Sequence, residues 1–310
     1  MSFSSEIKDS LSKILASSSC DQKAELSGIV RTCGTISLHG RNKLSVSMRT
    51  EIPSVARLIF VLFKNLYSLH TEVHVKKGNH ISKGSIYEIF IEDALEYLTD
   101  LEIITFKDDM NIINDSLPDD LIRKECCIRS YIRGFFLGCG SVSNPEKTYH
   151  LEFITHSENL ANSFIGLLNN FDLNAKLIER KGNYIAYVKE SEKIVDFLNI
   201  IGAHVQLLSY ENIRVLKQMR NNVNRIVNCE TANLSKVVDA SYLAIENINK
   251  ILKKRGIDSL PESLKEIAIL RVENPEMSLK ELGEMLSSPL TKSGVNHRIK
   301  KLIQLGEEID

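Results

Sequence analysis

At 310 residues the chain has room for one large domain or two to three smaller ones, and 43% apolar with 25% charged residues is ordinary globular composition. The net charge of −1 excludes any nucleic-acid argument from global charge, so a basic surface has to be local. No apolar run approaches the roughly 18 residues of a membrane span. The N-terminal SFSSEIKDSLSKIL is polar and lacks a signal-peptide core, so a cytoplasmic chain without a membrane partner is expected.

In chain order, LSGIVRTCG (26–34) is followed by TISLHGRNKLSVSMRT, which alternates about Gly40-Arg41-Asn42 as a β-hairpin does. VARLIFVLFKNLYSL (55–69) has helical apolar spacing. TEVHVKK (71–77) and SIYEIFIE (85–92) read as strands joined by a Gly/Asn-containing turn, and ALEYLTDL (94–101) as a helix. KDDMNIINDSLPDD (107–120) is acidic, contains Pro and reads as a linker. A second phrase, IRGFFLGCG (132–140), then opens a similar series. TYHLEFITH (148–156) is a strand and ENLANSFIGLLNNF (158–171) a helix. AKLIERKGNYIAYVKE (175–190) is a hairpin turning at Lys181-Gly182-Asn183, and EKIVDFLNIIG (192–202) is a helix closed by its Gly. The two phrases share apolar, x, Gly, apolar, apolar, x, x, Cys, Gly at an offset of 106, so the chain is internally duplicated.

Residues 206–255 carry no strand pattern. From Leu207 to Gly256 nine Lys or Arg stand against four acids, a local balance of +5. Within this segment MRNNVNRIVNCETANL (219–234) is Asn-rich with an apolar stripe of Val223, Ile226 and Val227. Two readings stand: a helix whose polar groups bond a neighbouring domain, or an additional DNA contact through Arg220, Asn224 and Arg225. Six cysteines occur, none in a C-x-x-C pair, and adjacent Cys126-Cys127 are poorly spaced to share one zinc. Reduced structural thiols are expected, with no metal and no cofactor; a zinc site is the alternative.

The last fifty residues read as three helices. Ser259-Leu260-Pro261 opens the first, whose inward face is Leu264, Ile267, Ala268 and the stem of Arg271. Ser278 with Glu281 forms a capping box for the second, and Leu279, Leu282, Gly283 and Leu286 face inward. The third starts near Thr291–Ser293 and buries Val295, Ile299 and Leu302. Its opposite face carries Ser293, His297, Lys300, Lys301 and Gln304, flanked by Asn296 and Arg298, with Lys292 at its start. From Ser287 to Gly306 there are four Lys or Arg and no acid. That asymmetry suits a helix-turn-helix with the third helix in the major groove of double-stranded DNA. Asn, Arg and Gln are base-reading types and Lys suits phosphates. A three-helix packing module with a solvated basic face is the alternative.

The phrases LSGIVRTCG and IRGFFLGCG resemble the paired helices of LAGLIDADG homing endonucleases, which pack at a pseudo-twofold axis above a curved sheet saddle. Gly28 and Gly134, each costing ~1 kcal/mol mid-helix, would permit that approach, through small faces Gly28/Gly34 and Gly134/Gly138. The resemblance implies a metal-binding Asp at the eighth position of each phrase. Here those positions are Cys33 and Cys139, and the sixth positions are Arg31 and Leu137. Thiols are soft and Mg²⁺ wants oxygen ligands, so Cys33 and Cys139 read as degenerate former metal positions. Small buried residues, a redox pair and a soft-metal site remain the three readings of these thiols.

A LAGLIDADG-like duplication joined to a helix-turn-helix resembles the WhiA family of bacterial regulators. The likeness rests on SFSSE (2–6), both phrases, GCGSVSNPEKTYHLEF (138–153), LNAKLIERKGNY (173–184), MRNNVNRIVNCETANL and LPESLKEIAILRVENP through LKELGEMLSSPLTKSGVNHRIKKL. It implies an α+β fold, a duplicated LAGLIDADG-like αββαββα saddle followed by an all-α helix-turn-helix domain resembling sigma-factor region 4. The expected division is 1–106 for the first half with an N-terminal helix, 107–120 linker, 121–205 second half, 206–256 basic helical linker and 257–310 helix-turn-helix. It further implies non-catalytic DNA binding on the nucleoid and transcription control linked to sporulation or to cell division and chromosome segregation. The alternatives are an adaptor whose saddle binds an RNA polymerase sigma factor or another regulator, and a residual nuclease; no small-molecule substrate is evident. The adaptor predicts a saddle without positive charge. Arg41, Lys43, Arg49, Arg180 and Lys181 oppose that expectation, while Glu51, Glu179 and Glu190 dilute them.

Overall fold

A computed structural model describes residues 2–39, 43–77, 84–107 and 110–309. The expected turn at Gly40-Arg41-Asn42, and residues 78–83 of the next turn, lie outside the described residues. The chain forms two compact units, Met1–Lys217 and Gln218–Asp310.

The first unit begins with α1 (Phe3–Leu11), capped by Ser2. The first half then runs α2 (Ser19–Cys33), β1 (Gly34–Leu38), β2 (Leu44–Thr50), α3 (Pro53–Tyr67), β3 (Glu72–Lys77), β4 (Ser85–Ile91) and α4 (Leu95–Asp100). A small pair, β5 (Ile104–Lys107) and β6 (Met110–Ile113), precedes the second half. That half runs α5 (Glu125–Cys139), β7 (Gly140–Val142), β8 (Leu151–Thr155), α6 (Glu158–Asn169), β9 (Lys176–Arg180), β10 (Asn183–Val188) and α7 (Ser191–Ile200). The sheet orders β1-β2-β4-β3 and β7-β8-β10-β9 are the same permutation, so the duplication seen in the two phrases extends to topology. The β9–β10 turn uses Lys181 and Gly182, both with positive φ (53° and 74°), as a two-residue hairpin requires.

The stretch 107–120, expected as a linker, is only partly one: Met110–Ile113 pairs with Ile104–Lys107. Four residues inside an acidic, Pro-containing run are too few to show a strand period. Arg31 explains why the segment holds its place. Its guanidinium donates to the carbonyls of Glu102 (2.7 Å), Asn114 and Ser116 (2.7 Å). The sixth position of the first phrase has become a clamp on the connection between halves.

The second unit holds the C-terminal part of α8 (His204–Arg255), then α9 (Glu262–Glu273), α10 (Leu279–Met285) and α11 (Lys292–Glu307). Its core combines Leu264, Ile267, Ala268, Leu282, Val295, Ile299 and Leu302 with Ala244, Ile248 and Ile251 from α8. Gly306 lies against Asn247, where a Cβ would come within 2.5 Å of the Asn247 Cβ. The expected boundary at 257 therefore cuts through a packed core: the charged positions of 246–255 hide an apolar stripe that completes the three-helix cluster. Arg271 differs as well. Its whole side chain is buried, and its guanidinium donates to Met277 O (2.9 Å) and to Ser241 Oγ and Pro275 O (both 3.3 Å). Among the described residues no helix is long and apolar enough to cross a membrane.

Candidate nucleic-acid interface

The two phrases form the seam of the first unit, with α2 packed along α5. A Cβ on Gly28 would stand 2.5 Å from Tyr131 O and 2.7 Å from Phe135 N, and one on Gly134 would fall on Glu25 O. Gly138 faces Thr32 Oγ1. Gly34 is not in the seam, contrary to expectation. A Cβ there would meet Val30 of its own helix, so Gly34, like Gly140 against Phe136, serves the sharp entry from helix to strand. The seam also holds a buried bidentate ion pair. Arg133 Nε and Nη2 donate to Glu25 Oε1 and Oε2, each at 2.7 Å, and Glu25 has no exposed surface. Burial pushes the Glu25 carboxyl up while Arg133 pulls it back.

At the other end of the seam stand Cys33 and Cys139, the last residues of α2 and α5. Each residue is half-buried, with its thiol enclosed by protein, and that burial pushes both thiols up to about 12. Lys8 of α1 reaches the same place, its ammonium 5.5 Å from the Phe136 ring centre. Burial lowers Lys8, and the two thiols oppose that shift. The oxygen-seeking divalent metals of the endonuclease fold do not fit here. The donor set is two protonated sulfurs beside a lysine ammonium, and neither cysteine belongs to a cluster of three metal-ligating side chains among the described residues. Protonated, enclosed thiols also make poor redox sensors. Nothing local in the sequence links Lys8 to the phrases, which is why it escaped notice.

The open face of the first sheet pairs its charges internally. Arg49 and Glu88 are cross-strand partners, with Arg49 Nε donating to Glu88 Oε1 at 2.7 Å, and Lys76 bonds the other carboxylate oxygen. Those two bonds hold the Glu88 carboxyl below its ordinary value. By the shared register Arg49, Glu88 and His74 correspond to Ile154, Ile185 and Ile178 of the second sheet, and Lys76 to Arg180. Lys43, Arg180 and Lys181 are exposed, as are Glu51, Glu179 and Glu190. Of the expected saddle cations that are described, Arg49 is neutralised and the rest are diluted.

In the second unit the basic helix is placed by three devices. Ser278 and Glu281 complete the capping box of α10. Gly283 lies under the Leu290 carbonyl, which a Cβ would strike, and Leu290 N donates back to Gly283 O at 3.0 Å. Ser287 donates twice to Glu266 of α9, through its N (2.7 Å) and Oγ (2.9 Å). Thr291 then caps α11 by accepting from Gly294 N. With Val295, Ile299 and Leu302 inward, Lys292, Ser293, Asn296, His297, Lys300, Lys301 and Gln304 are exposed. Arg298 is half-buried at the edge of the packed face, less outward than its expected role implies. None of Lys292, Arg298, Lys300 and Lys301 has an ion-pair partner among the described residues.

On α8, Arg220, Asn224 and Arg225 are exposed. Two other cations counted in the basic segment are already engaged. Arg214 bridges Glu211 (2.9 Å) and Glu192 (3.1 Å), and Lys217 lies 4.8 Å over the Tyr149 ring and donates to Lys147 O (3.1 Å).

The arrangement defines a class: a duplicated LAGLIDADG-like domain with cysteines at the eighth positions of its seam helices, joined to a helix-turn-helix. Family models described as the WhiA N-terminal LAGLIDADG-like domain, the WhiA LAGLIDADG-like domain and the WhiA C-terminal HTH domain match residues 19–104, 128–220 and 223–306. The chain belongs to the WhiA family. It is 50% identical to the probable cell division protein WhiA of Alkaliphilus metalliredigens, covering 99% of this chain and 98% of that one. It is 46% identical to the protein of the same name from Clostridium acetobutylicum, over 100% and 98%. The full-length DUF199/WhiA structure from Thermatoga maritima superposes with a TM-score of 0.61 at 27% identity, covering 100% of this chain and 99% of that one.

Proposed function

We propose that this chain is a non-catalytic, sequence-specific double-stranded DNA-binding regulator of transcription. It acts on the nucleoid, in the cytoplasm, in cell division and chromosome segregation and, where the organism forms spores, in sporulation. The observation that carries the proposal is the outward face of α11, where Lys292, Lys300 and Lys301 are exposed without ion-pair partners among the described residues beside exposed Asn296, His297 and Gln304. Unpaired cations on one helix face release counterions from DNA at no cost in broken ion pairs. Lys300 and Lys301 contact phosphates, and Lys292 and Ser293 set the helix start against the backbone. Asn296, His297, Arg298 and Gln304 read base edges. Arg220, Asn224 and Arg225 add contacts from α8. Catalysis is excluded from the proposal because protonated Cys33 and Cys139 beside Lys8 offer no clamp for metals.

The test is fluorescence anisotropy of the full chain on a panel of DNA fragments across salt concentrations. About six neutralised phosphates give a log–log salt slope near −5, and Lys300→Ala with Lys301→Ala lowers its magnitude by about 2. Asn296→Ala relaxes the preference at one base pair by about 1–3 kcal/mol. An unchanged slope and preference in these variants, with the fold intact, removes α11 as the reader.

The saddle supports a second, compatible reading. Its open face pairs Arg49 and Lys76 with Glu88 and presents Ile154 and Ile178, which suits a protein partner better than phosphates. A sigma factor or another regulator is the proposed partner. Arg49→Glu on that face then abolishes partner binding while leaving DNA affinity unchanged.

A further inference from the structure

The N-terminal ends of the seam helices carry a cluster that the DNA-binding reading does not use. Cys20 and Asp21 occupy the first turn of α2, and Cys126 and Cys127 the first turn of α5. The offset of 106 that relates the phrases also relates Cys20 to Cys126 and Asp21 to Cys127. The pseudo-twofold therefore brings two equivalent dipeptides together. The ligating atoms of Cys20, Asp21 and Cys127 all lie within 4.8 Å of one another. Cys126 Sγ is 3.9 Å from Cys127 Sγ. Cys20 and Cys127 are 107 positions apart in sequence, so no spacing motif announces the cluster.

Three features single this cluster out from ordinary buried thiols. Asp21 Oδ1 is buried without a hydrogen-bond partner. A single Cys127 S–H, facing both the Cys20 sulfur and the Asp21 carboxylate, cannot serve both. The Cys20 sulfur also lies 2.8 Å from Ser18 Oγ, a hydroxyl that can donate to a thiolate, the ligating form. Finally, two thiolates and a carboxylate would leave three negative charges in one place. A divalent cation neutralises two, and the two helix N-termini, each equivalent to about half a positive charge, offset the remainder.

We propose that Cys20, Asp21 and Cys127 bind a borderline-soft divalent cation of the zinc type, joining the first turns of α2 and α5. Two thiolates with one carboxylate oxygen match tetrahedral zinc, and a water supplies the fourth position. Binding releases the thiol protons and ties the two halves together at the end of the seam opposite Cys33 and Cys139.

The test uses the full chain, metal-free, with a non-chelating phosphine reductant, titrated with Co²⁺. The expected result is saturation at one equivalent, with a thiolate-to-cobalt charge-transfer band and the visible bands of tetrahedral cobalt, both displaced by Zn²⁺. Cys20→Ser and Cys127→Ser lose the charge-transfer band, whereas Cys33→Ser and Cys139→Ser keep it. Asp21→Asn, which tests the site without touching a buried thiol, weakens binding by more than the roughly 10–100-fold typical of an outer-shell partner. Zn²⁺ raises Tm in the parent chain and not in Cys20→Ser. No charge-transfer band in protein with six titratable thiols overturns the proposal. So does a band that survives Cys20→Ser, or a Cys20–Cys127 disulfide that forms in air from a chain that takes up no metal when reduced.

Discussion

The helix-turn-helix of this protein should not fold when cut at residue 257, although its three named helices are then complete. Ile248 and Ala244 have no exposed surface and Ile251 only 2%. Truncating a buried Ile to Ala costs about 2–5 kcal/mol. Removing two isoleucines, Ala244 and the Asn247 surface that receives Gly306 therefore costs on the order of 5–10 kcal/mol. A domain of this size has only about 5–15 kcal/mol in total. Urea and thermal melts by circular dichroism on 218–310, 257–310 and Ile248→Ala in 218–310 decide the matter. The expected order is a cooperative transition for 218–310, one lowered by about 2–5 kcal/mol for Ile248→Ala, and no cooperative transition for 257–310. A 257–310 fragment melting cooperatively at the same midpoint as 218–310 refutes the reasoning. It would mean that the α8 stripe covers the core without stabilising it.

Gly134→Ala should destabilise the first unit by several kcal/mol in urea melts, because its Cβ falls on the Glu25 carbonyl, whereas Gly166→Ala, with open space around it in α6, should stabilise by about 0.4–1 kcal/mol. Cys33→Asp with Cys139→Asp should not restore cleavage of supercoiled plasmid with Mg²⁺ or Mn²⁺, since Lys8 and the enclosing protein remain; nicking by purified protein would contradict that. Cys33 and Cys139 are pushed up to about 12 in the folded chain from an ordinary 9.0, so the folded state holds protons that the unfolded state has released. Stability should fall as pH rises from about 9 towards 12. Cys33→Ala with Cys139→Ala should flatten that part of the pH profile in urea melts.

The duplication was legible because a helix seam demands a rare residue at a fixed place. Gly28 and Gly134 mark it in any reading of the chain, and the shared sheet order follows the shared phrase. What the phrase could not convey was contact across the axis. Gly138 meets Thr32, the residue in its own equivalent position, while Gly34 turns the chain into β1. A sequence alignment compares equivalent positions and says nothing of which ones touch. The same limit hid Lys8 beside Cys33 and Cys139, and Cys20 beside Cys127, because neither pairing is local. The stem of Arg271 was read as inward, but not its head group, for a different reason: a charged end is assigned to the surface unless carbonyls are known to await it. Here the ends of α9 and its loop supply Met277 O and Pro275 O. On α11 the helical period alone separated Val295, Ile299 and Leu302 from the exposed basic face, and only Arg298 strayed from it.

Cysteines at the eighth positions and glycines along the seam follow from one asymmetry. A seam glycine is constrained by backbone: the Glu25 carbonyl cannot retreat from a Cβ at position 134 without moving all of α2. The eighth positions are free of such backbone contact, and two enclosed carboxylates there would be a burden unless a metal held them. Burial disfavours their charge, and each would face the other at the axis. Small thiols fill the same volume without charge, and Lys8 closes over them from α1. Glu25 shows the condition under which a carboxylate does persist in this seam. It has a bidentate arginine on the opposing helix, so its burial is compensated at both oxygens. Neutralising Arg133 as Met should therefore destabilise the unit by about 3–5 kcal/mol. Adding Glu25→Leu should recover most of that loss, since two apolar side chains replace a pair whose attraction mainly offsets its own desolvation. Urea melts of the single and double variants measure this. A double variant no more stable than Arg133→Met alone would mean that the ion pair contributes more than the desolvation it offsets.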